Sequence, residues 1–376
     1  MNKFNCDSWI QPVPPTDRTV AALRPGSTVV VYGAGTVAQD VIRVLARHDV
    51  RVRCIIDAKS NRTEVAGFAV RRPDDPALSP EERASTPVVF GIFNAYVDLA
   101  ALTRQLATQG WSHIVDFSEL HAMWPDEMGD RYWLTRRSFM RDHAADISAV
   151  DGLWSDEASR DLYRQILRFR VTGDRSVLSP PDLERQYFPK DIPAWATPLR
   201  FVDCGAFDGD TLKQVFALGV PVAAIAAFEP DPINFGKLAQ HVWAQRSIMP
   251  ETVALYPCGV SGATAQIRFS SGEGTGSHAS ETGSTTIQCV SLDEALPTFR
   301  PTLIKMDIES AEYDALLGAR RLIAEYRPGL AICLYHRPEH LWQIPLLVRQ
   351  LTGGGGKYFI RSHCFNGFEL VLYWMP

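Results

Sequence analysis

Phe201-Val202-Asp203-Cys204-Gly205-Ala206-Phe207-Asp208-Gly209-Asp210-Thr211 is the stretch that decides the fold. An apolar run ends at Asp203 and passes through a D-x-G-x-x-x-G-D-T turn into a helical pattern, the order strand, glycine turn, helix. The acid ahead of the first glycine is the informative residue. It would repel the pyrophosphate of a dinucleotide and attract a cationic ligand. Twenty-six residues past Asp203, the run Ile225-Ala226-Ala227-Phe228-Glu229-Pro230-Asp231-Pro232 ends a second strand in Glu229. A carboxylate there can accept hydrogen bonds from both hydroxyls of a ribose. Asp231 then N-caps the next helix, with Pro232 at its first position.

S-adenosylmethionine meets both demands: it carries an ammonium, a sulfonium and a ribose, and no phosphate. The competing reading of Asp203, a carboxylate that only stabilises the turn, leaves the Glu229 spacing unexplained. Alternation continues outward from these two strands. Strand candidates cover 200–204, 225–229, 252–256, 302–306 and 330–335, followed by 358–363 and 369–374 joined through Asn366-Gly367. Asn-Gly between apolar runs is a strong hairpin signal. A parallel sheet that ends in an antiparallel hairpin is unlike a plain dinucleotide-binding fold, so residues 196–376 are expected to form a class I methyltransferase domain. The Gly/Ser/Thr-rich stretch 270–284 reads as a mobile loop, with Ser277 and His278 able to close over the pocket. The glycines at 353–356 read as a flexible turn.

The N-terminal part, 1–120, shows a similar alternation. Strand candidates at 29–32, 52–56, 87–90 and 113–117 are separated by helices at 36–47 and near 99–109, which predicts a second Rossmann-like parallel sheet. Its turn, Tyr32-Gly33-Ala34-Gly35-Thr36-Val37-Ala38, has the form G-x-G-x-x-A, and Asp57 follows 22 residues after Gly35. Glycines there let a backbone approach a phosphate at a helix N-terminus. Close packing of strand on helix without any ligand explains the same turn. Between the two sheets, 121–195 loses its strand signals; a helix is expected over 156–170, and proline recurs at 180, 181, 189, 193 and 198. Trp133, Phe139, Trp154, Tyr187 and Trp195 make this a packed helical connector rather than a solvated linker.

Three further segments narrow the reading. Leu303-Ile304-Lys305-Met306-Asp307-Ile308-Glu309-Ser310-Ala311-Glu312, taken with the two turns and Val290-Ser291-Leu292-Asp293, resembles the FkbM family of S-adenosylmethionine-dependent methyltransferases. The resemblance covers about 199–376. Many members O-methylate sugars or polyketide-derived hydroxyls. The family pattern is K-x-D-x-E-G-A-E, and Ser310 stands where glycine is usual; its hydroxyl could cap the following helix. The resemblance implies that Asp203, Gly205, Ala206, Phe207, Asp210 and Thr211 belong to the turn that holds the methionine portion. Glu229, with Pro230 and Asp231, would serve the ribose, Gly259 and Val260 would line the adenine, and Asp307 would face cofactor and substrate. In the N-terminal part, Cys54-Ile55-Ile56-Asp57-Ala58-Lys59-Ser60 and Gly67-Phe68-Ala69-Val70 resemble the N-terminal domains of bacterial sugar acyltransferases, which implies presentation of a substrate or a role in assembly.

Methyl transfer to an alcohol needs a proton acceptor, and Asp307, Glu309 and His336 are the candidates. The bland alternatives are that Glu309 and Glu312 favour the positive end of the next helix and that His336 is a hydrogen-bonded turn residue. Taken together, the same three residues offer donors for a divalent cation, but their spacing is not distinctive and no metal is assigned. Two rival functions remain: a nicotinamide-dependent oxidoreductase acting on a nucleotide sugar through Gly33, Gly35 and Asp57, and a non-catalytic binding protein with a degenerate methyltransferase fold.

Composition closes other doors. The 376 residues suit two domains of roughly 100–200 residues each. With 38 basic and 43 acidic residues the net charge is −5, which argues against a nucleic-acid scaffold. No apolar run is long enough to span a bilayer, and residues 1–5 lack the apolar stretch of a signal peptide. Seven cysteines lie scattered without metal-ligand spacing; Cys54, Cys289 and Cys333 sit in apolar runs as buried thiols. A cytoplasmic protein is expected, acting on a small-molecule or carbohydrate acceptor without nucleic acid or membrane. Oligomeric state stays open, a homo-oligomer included.

Overall fold

The structure is a computed structural model that describes residues 9–270, 278–279 and 285–376. The chain divides into two compact units. The first holds the residues through Ala144, Tyr163–Pro181 and Cys364–Phe368; the second holds Ala145–Leu162, Asp182–His363 and Glu369–Pro376. This differs from the expected three-part division. The 121–195 stretch forms no unit of its own and is shared between the two, because its buried aromatics have no separate core to fill: Trp133 belongs to the first unit, and Trp154, Tyr187 and Trp195 to the second.

The first unit is built on a six-stranded sheet. Its strands are β1 (Thr28–Tyr32), β2 (Arg51–Ile56), β3 (Glu64–Val65), β4 (Phe68–Arg71), β5 (Val88–Phe90) and β6 (Ile114–Val115), in the order β3-β4-β2-β1-β5-β6. All neighbours are parallel except the β3–β4 edge pair. The helix Thr36–Arg47 buries Ala38, Val41, Ile42, Val44 and Leu45, an i, i+3, i+4, i+7 stripe that fixes its packing face. Cys364–Phe368 also contributes here. The Asn366 carboxamide donates to the carbonyls of Asn94 and Val97 at 2.9 and 2.8 Å, and Phe368 packs edge-on to Phe93.

The second unit carries the sheet that positions the site. Its strands are β7 (Leu199–Cys204), β8 (Val222–Phe228), β9 (Thr252–Tyr256), β10 (Gly259–Val260), β11 (Ala265–Ser270), β12 (His278–Ala279), β13 (Thr285–Val290), β14 (Leu303–Met306), β15 (Gly329–Cys333), β16 (Lys357–Ser362) and β17 (Leu370–Met375). Seven of them run in the order β9-β8-β7-β14-β15-β17-β16, parallel through β15, with β17 antiparallel to both of its neighbours. Strand order therefore reverses between β7 and β14, and ligands of open α/β sheets bind outside the carboxyl ends at such a reversal. Parallel strands covered on both faces need continuous apolar runs, as in β15, where all five residues are buried.

Two expectations change. Β17 follows β16 through seven residues, 363–369, rather than a two-residue turn, although Asn366 and Gly367 do both adopt positive φ, 61° and 77°. The 259–290 stretch adds a small sheet in the order β10-β13-β11-β12, which the mobile-loop reading missed. Its signal was present: Ile267 and Phe269 alternate with polar residues, as do Ile287 and Cys289, and these four form a small apolar core. Ser277, with 271–276, 280–284 and the side chain of His278, lies outside the described residues. Cys54, Cys289 and Cys333 are buried free thiols. Among the described residues, no helix is long and apolar enough to cross a membrane.

Candidate active site

The turn after β7 is set by backbone geometry. Gly205 has φ 79°, and a Cβ built on it would lie 1.9 Å from the carbonyl oxygen of Asp307. Only glycine lets the β7 and β14 loops approach this closely. The amides of Gly205 and Ala206 both donate to the Phe228 carbonyl at 3.0 Å, which ties the turn to the end of β8. Glu229 begins immediately after β8. Its carboxylate accepts from the amides of Phe207 at 2.9 Å and Asp231 at 2.8 Å, so the acid and the turn are locked together. Burial pushes Glu229 up to about 7 against these two bonds. Asp231 caps the helix Pro232–Ala244 as expected, accepting from Ile233 and Asn234 at 2.8 and 3.1 Å, and Pro232 stands at its start.

Asp203 is placed differently from a residue that greets a ligand. Its side chain is wholly buried and ion-paired at 3.0 Å with Lys305, itself 2% exposed. Lys305 also donates to the Gly205 carbonyl at 2.6 Å and lies 5.3 Å from the centroid of the Tyr187 ring. Burial raises Asp203 to about 6 despite the lysine, and three carboxylates (Asp203, Asp307 and Asp210) hold Lys305 protonated against its own burial. The pair therefore braces the floor of the turn. Lys305 was visible in the sequence as a lysine inside an apolar strand, but the motif alone gave it no role. Thr211 is buried in the first turn of the helix Asp210–Ala217, with its amide bonded to Asp210. Gly259 and Val260 form β10, and a Cβ on Gly259 would lie 3.9 Å from Pro230, which brings the segment expected to line the adenine next to the one expected to serve the ribose.

Asp307, Glu309 and His336 do converge. The His336 imidazole is fully buried, three residues past the end of β15. Its Nδ1 is 2.8 Å from Glu312, and its Nε2 is 3.4 Å from Asp307 and 3.7 Å from Glu309. Burial works against the imidazolium, but Glu312, Glu309 and Asp307 outweigh it and lift His336 to about 10. Glu312, expected only as a helix-favouring charge, is wholly buried; its Oε1 accepts from the Ile308 amide at 2.8 Å, and its Oε2 is 3.4 Å from His340. Ser310 caps nothing: the cap position falls on Ala311, and the Ser310 hydroxyl reaches the His336 carbonyl at 3.4 Å. Its φ of 86° shows why glycine is the usual residue there.

Asp307 also accepts from the hydroxyls of Tyr187 at 2.8 Å and Tyr335 at 3.3 Å. Burial opposes its charge, but His336, Lys305 and Tyr187 hold it below the usual carboxylate range. Tyr335 bonds at 3.0 Å to Glu369, which burial and then the Asp307 charge raise to about 8. Gln186 donates to the other Glu369 oxygen. Tyr187, Gln186, Tyr335 and Glu369 carry no local sequence signal for this role, since only the fold brings 186–187 and 369 to the ends of β14 and β15.

In the first unit, Asp57 also reaches back to its glycine turn. One oxygen accepts from the Ala34 amide at 3.0 Å, and the other from Lys59 and Ser60 at 2.7 and 2.8 Å. Asp57 thus stabilises the local loops whether or not a nucleotide binds.

A topology with its reversal at β7 and β14 and a terminal antiparallel strand defines the class I methyltransferase fold. Residues 203–358 match the family model described as Methyltransferase FkbM domain. Among solved structures, the crystal structure of Methyltransferase FkbM from Methylobacillus flagellatus KT superposes with a TM-score of 0.78 at 19% identity, over 98% of this chain and 96% of that one. That likeness covers the fold of both units. No curated protein matches the chain.

Proposed function

We propose that the protein uses S-adenosylmethionine to methylate a hydroxyl group of a carbohydrate or another hydroxylated small molecule. The observation that carries this reading is the lock between Glu229 and the Gly205–Phe207 turn, which sets a carboxylate suited to a ribose against a glycine turn whose acid, Asp203, a dinucleotide pyrophosphate would disfavour. The residues fit the cofactor: Glu229 stands immediately after β8 beside the glycine turn, a carboxylate ionised near and above neutrality that can accept from ribose hydroxyls.

When bound, the cofactor supplies an electrophilic methyl group on a sulfonium. For that group to pass to an acceptor hydroxyl, a residue of this chain would have to take the hydroxyl proton. Asp307 is the proposed proton acceptor. It is ionised, partly open at 23% side-chain exposure, and oriented by Tyr187. Its low basicity suits a proton that leaves late, as the new oxygen–carbon bond makes the hydroxyl acidic. His336 is already protonated in this arrangement, so its role shifts from base to the charge that keeps Asp307 and Glu309 ionised. Much of the rate then comes from positioning.

Calorimetric titration of the full chain with S-adenosylmethionine, S-adenosylhomocysteine and NAD, repeated on Glu229→Gln, tests this. Adenosyl ligands that bind the native chain and bind the variant tenfold or more weakly support the reading. Binding of NAD alone would sink it and move the chemistry to the first unit.

A further inference from the structure

We infer that Glu369 is a positioning residue for Asp307: a protonated, neutral side chain that donates to the Tyr335 oxygen and so leaves the Tyr335 hydrogen for Asp307. The role rests on the reading of Asp307 as proton acceptor, but the protonation assigned to Glu369 is measurable without acceptor or cofactor.

A count of hydrogens comes first. A phenol has one hydrogen to donate. The Tyr335 oxygen lies 3.0 Å from Glu369 Oε1 and 3.3 Å from Asp307 Oδ1. With both carboxyls ionised, one of these contacts would set two oxygens face to face with no hydrogen between them. No further partner of Tyr335 can give it a second hydrogen to donate. The remaining oxygens are already served: Asp307 Oδ2 accepts from Tyr187 at 2.8 Å, and Glu369 Oε2 accepts from Gln186. One of the two carboxyls therefore holds a proton on its Tyr335 side.

The surroundings decide which. Asp307 stands 3.4 Å from the buried His336 imidazole, and the charges of His336 and Lys305 hold it ionised. Glu369 is bonded instead to two uncharged side chains, Gln186 and Tyr335. Burial and then the Asp307 charge favour its neutral form and raise it to about 8. Asp307, His336, Tyr335, Gln186, Tyr187 and Cys333 face it, and His336 is the one cation among them. The Glu369 backbone has φ 47°, a left-handed position where a residue without a Cβ is most at ease. Such strain persists where surrounding bonds over-determine it. Here the Glu369 carbonyl accepts from the His363 amide at 3.0 Å while its carboxyl is gripped at both oxygens.

The consequence for Asp307 is directional. With Glu369 protonated, the hydrogens run from Glu369 to Tyr335 and from Tyr335 to Asp307. Both Asp307 oxygens are then held by tyrosine hydroxyls, Oδ1 by Tyr335 and Oδ2 by Tyr187, which fixes the plane of the carboxylate. Once Glu369 ionises, the Tyr335 hydrogen turns to the nearer oxygen, that of Glu369, and Oδ1 is released. A glutamine at 369 reproduces the neutral acid, since its carboxamide can accept from Gln186 and donate to Tyr335.

The test is a pH titration by carbon-13 NMR of the full chain labelled at the carboxyl carbons of aspartate and glutamate. Glu369→Gln and Asp307→Asn assign the two resonances. Near neutrality the Glu369 carbon is expected in its protonated position, titrating near pH 8, and the Asp307 carbon in its ionised position. The Asp307 carbon should show a second, smaller step as Glu369 ionises. Tyr335→Phe should cut that step to half or less, and Glu369→Gln should abolish it. Thermal unfolding and S-adenosylhomocysteine calorimetry on the same samples report folding and the cofactor site. A native chain in which no glutamate carbon titrates near pH 8 overturns the inference without any variant. So does an Asp307 step of undiminished size in folded Tyr335→Phe, because Asp307 would then feel only the Glu369 charge. In either case a chain that still binds S-adenosylhomocysteine keeps the cofactor reading. The expected titrations in a chain that binds no adenosyl ligand support the proton arrangement and sink the cofactor reading instead.

Discussion

The two glycine turns use the same device and differ in what lies beneath it. In each unit an acid at the end of the second strand accepts a hydrogen bond from the turn that follows the first: Asp57 from Ala34 at 3.0 Å, Glu229 from Phe207 at 2.9 Å. The registers are equivalent too. Val31 pairs with Val89 in the first sheet, and Asp203 pairs with Lys305 in the second. Where one sheet has an apolar pair, the other has a buried ion pair whose lysine reaches the turn's own carbonyl. A buried pair adds little net stability but costs much to break, so its presence marks a turn whose charge distribution matters.

The largest break in this comparison should come from Gly205→Ala. Its Cβ would collide with backbone at an already left-handed position, and we expect a loss of several kcal/mol of stability together with adenosyl binding. Gly35→Ala meets open space at φ −94° and should cost only about 1 kcal/mol or less as a lost helix cap, read by chemical denaturation. Next in size, Lys305→Met strands the Asp203 carboxylate and should cost about 3–5 kcal/mol. Adding Asp203→Asn should recover a large part of that loss; a double variant no better than the single would show that the lysine works without its partner.

Glu229→Gln should separate binding from stability. The Glu229 pKa is raised in the folded state, so its protonated form favours folding below the unfolded carboxyl range, and that contribution is lost as pH rises through about 7. At pH 8 the native chain bears the cost of a buried charge, and the variant should be more stable by up to about 3 kcal/mol, less whatever its two backbone bonds lose. Its adenosyl affinity should meanwhile fall. In the native chain the same affinity should drop as pH is lowered through about 7, while Asp57→Asn leaves it unchanged. The smallest effect is expected from Ser310→Gly, which relieves a φ of 86° and should add about 1 kcal/mol or less to the unfolding free energy.

Much of the fold was legible because parallel sheets announce themselves in short apolar runs. The strand candidate over 252–256 coincides with β9, and the helix over 36–47 is recovered with its burial stripe. The cap at Asp231 and proline at 232 were equally local, since a side chain and its own next turn decide them. What escaped was non-local. Β11 and β13 alternate clearly, but they lie beside a Gly/Ser-rich tract whose composition dominated the reading. The hairpin signal at Asn366-Gly367 located two strands correctly and misjudged their connection, because the Asn366 carboxamide is committed to the carbonyls of Asn94 and Val97.

By itself the sequence determined that two strand–glycine–helix turns exist, that one carries an acid ahead of its glycine, and that Asp307, Glu309 and His336 lie at the ends of strands β14 and β15 as candidates for chemistry. These follow from residue type and short spacing. Only the tertiary structure decided which groups face outward and which are spent on one another. Asp203 turned inward to Lys305, Glu312 turned to His336, and Tyr187 arrived from a distant segment to hold Asp307. The physical reason is that charge and basicity at a buried site depend on neighbours within a few ångströms. Those neighbours come from strands far apart in the chain, so no local pattern can specify them.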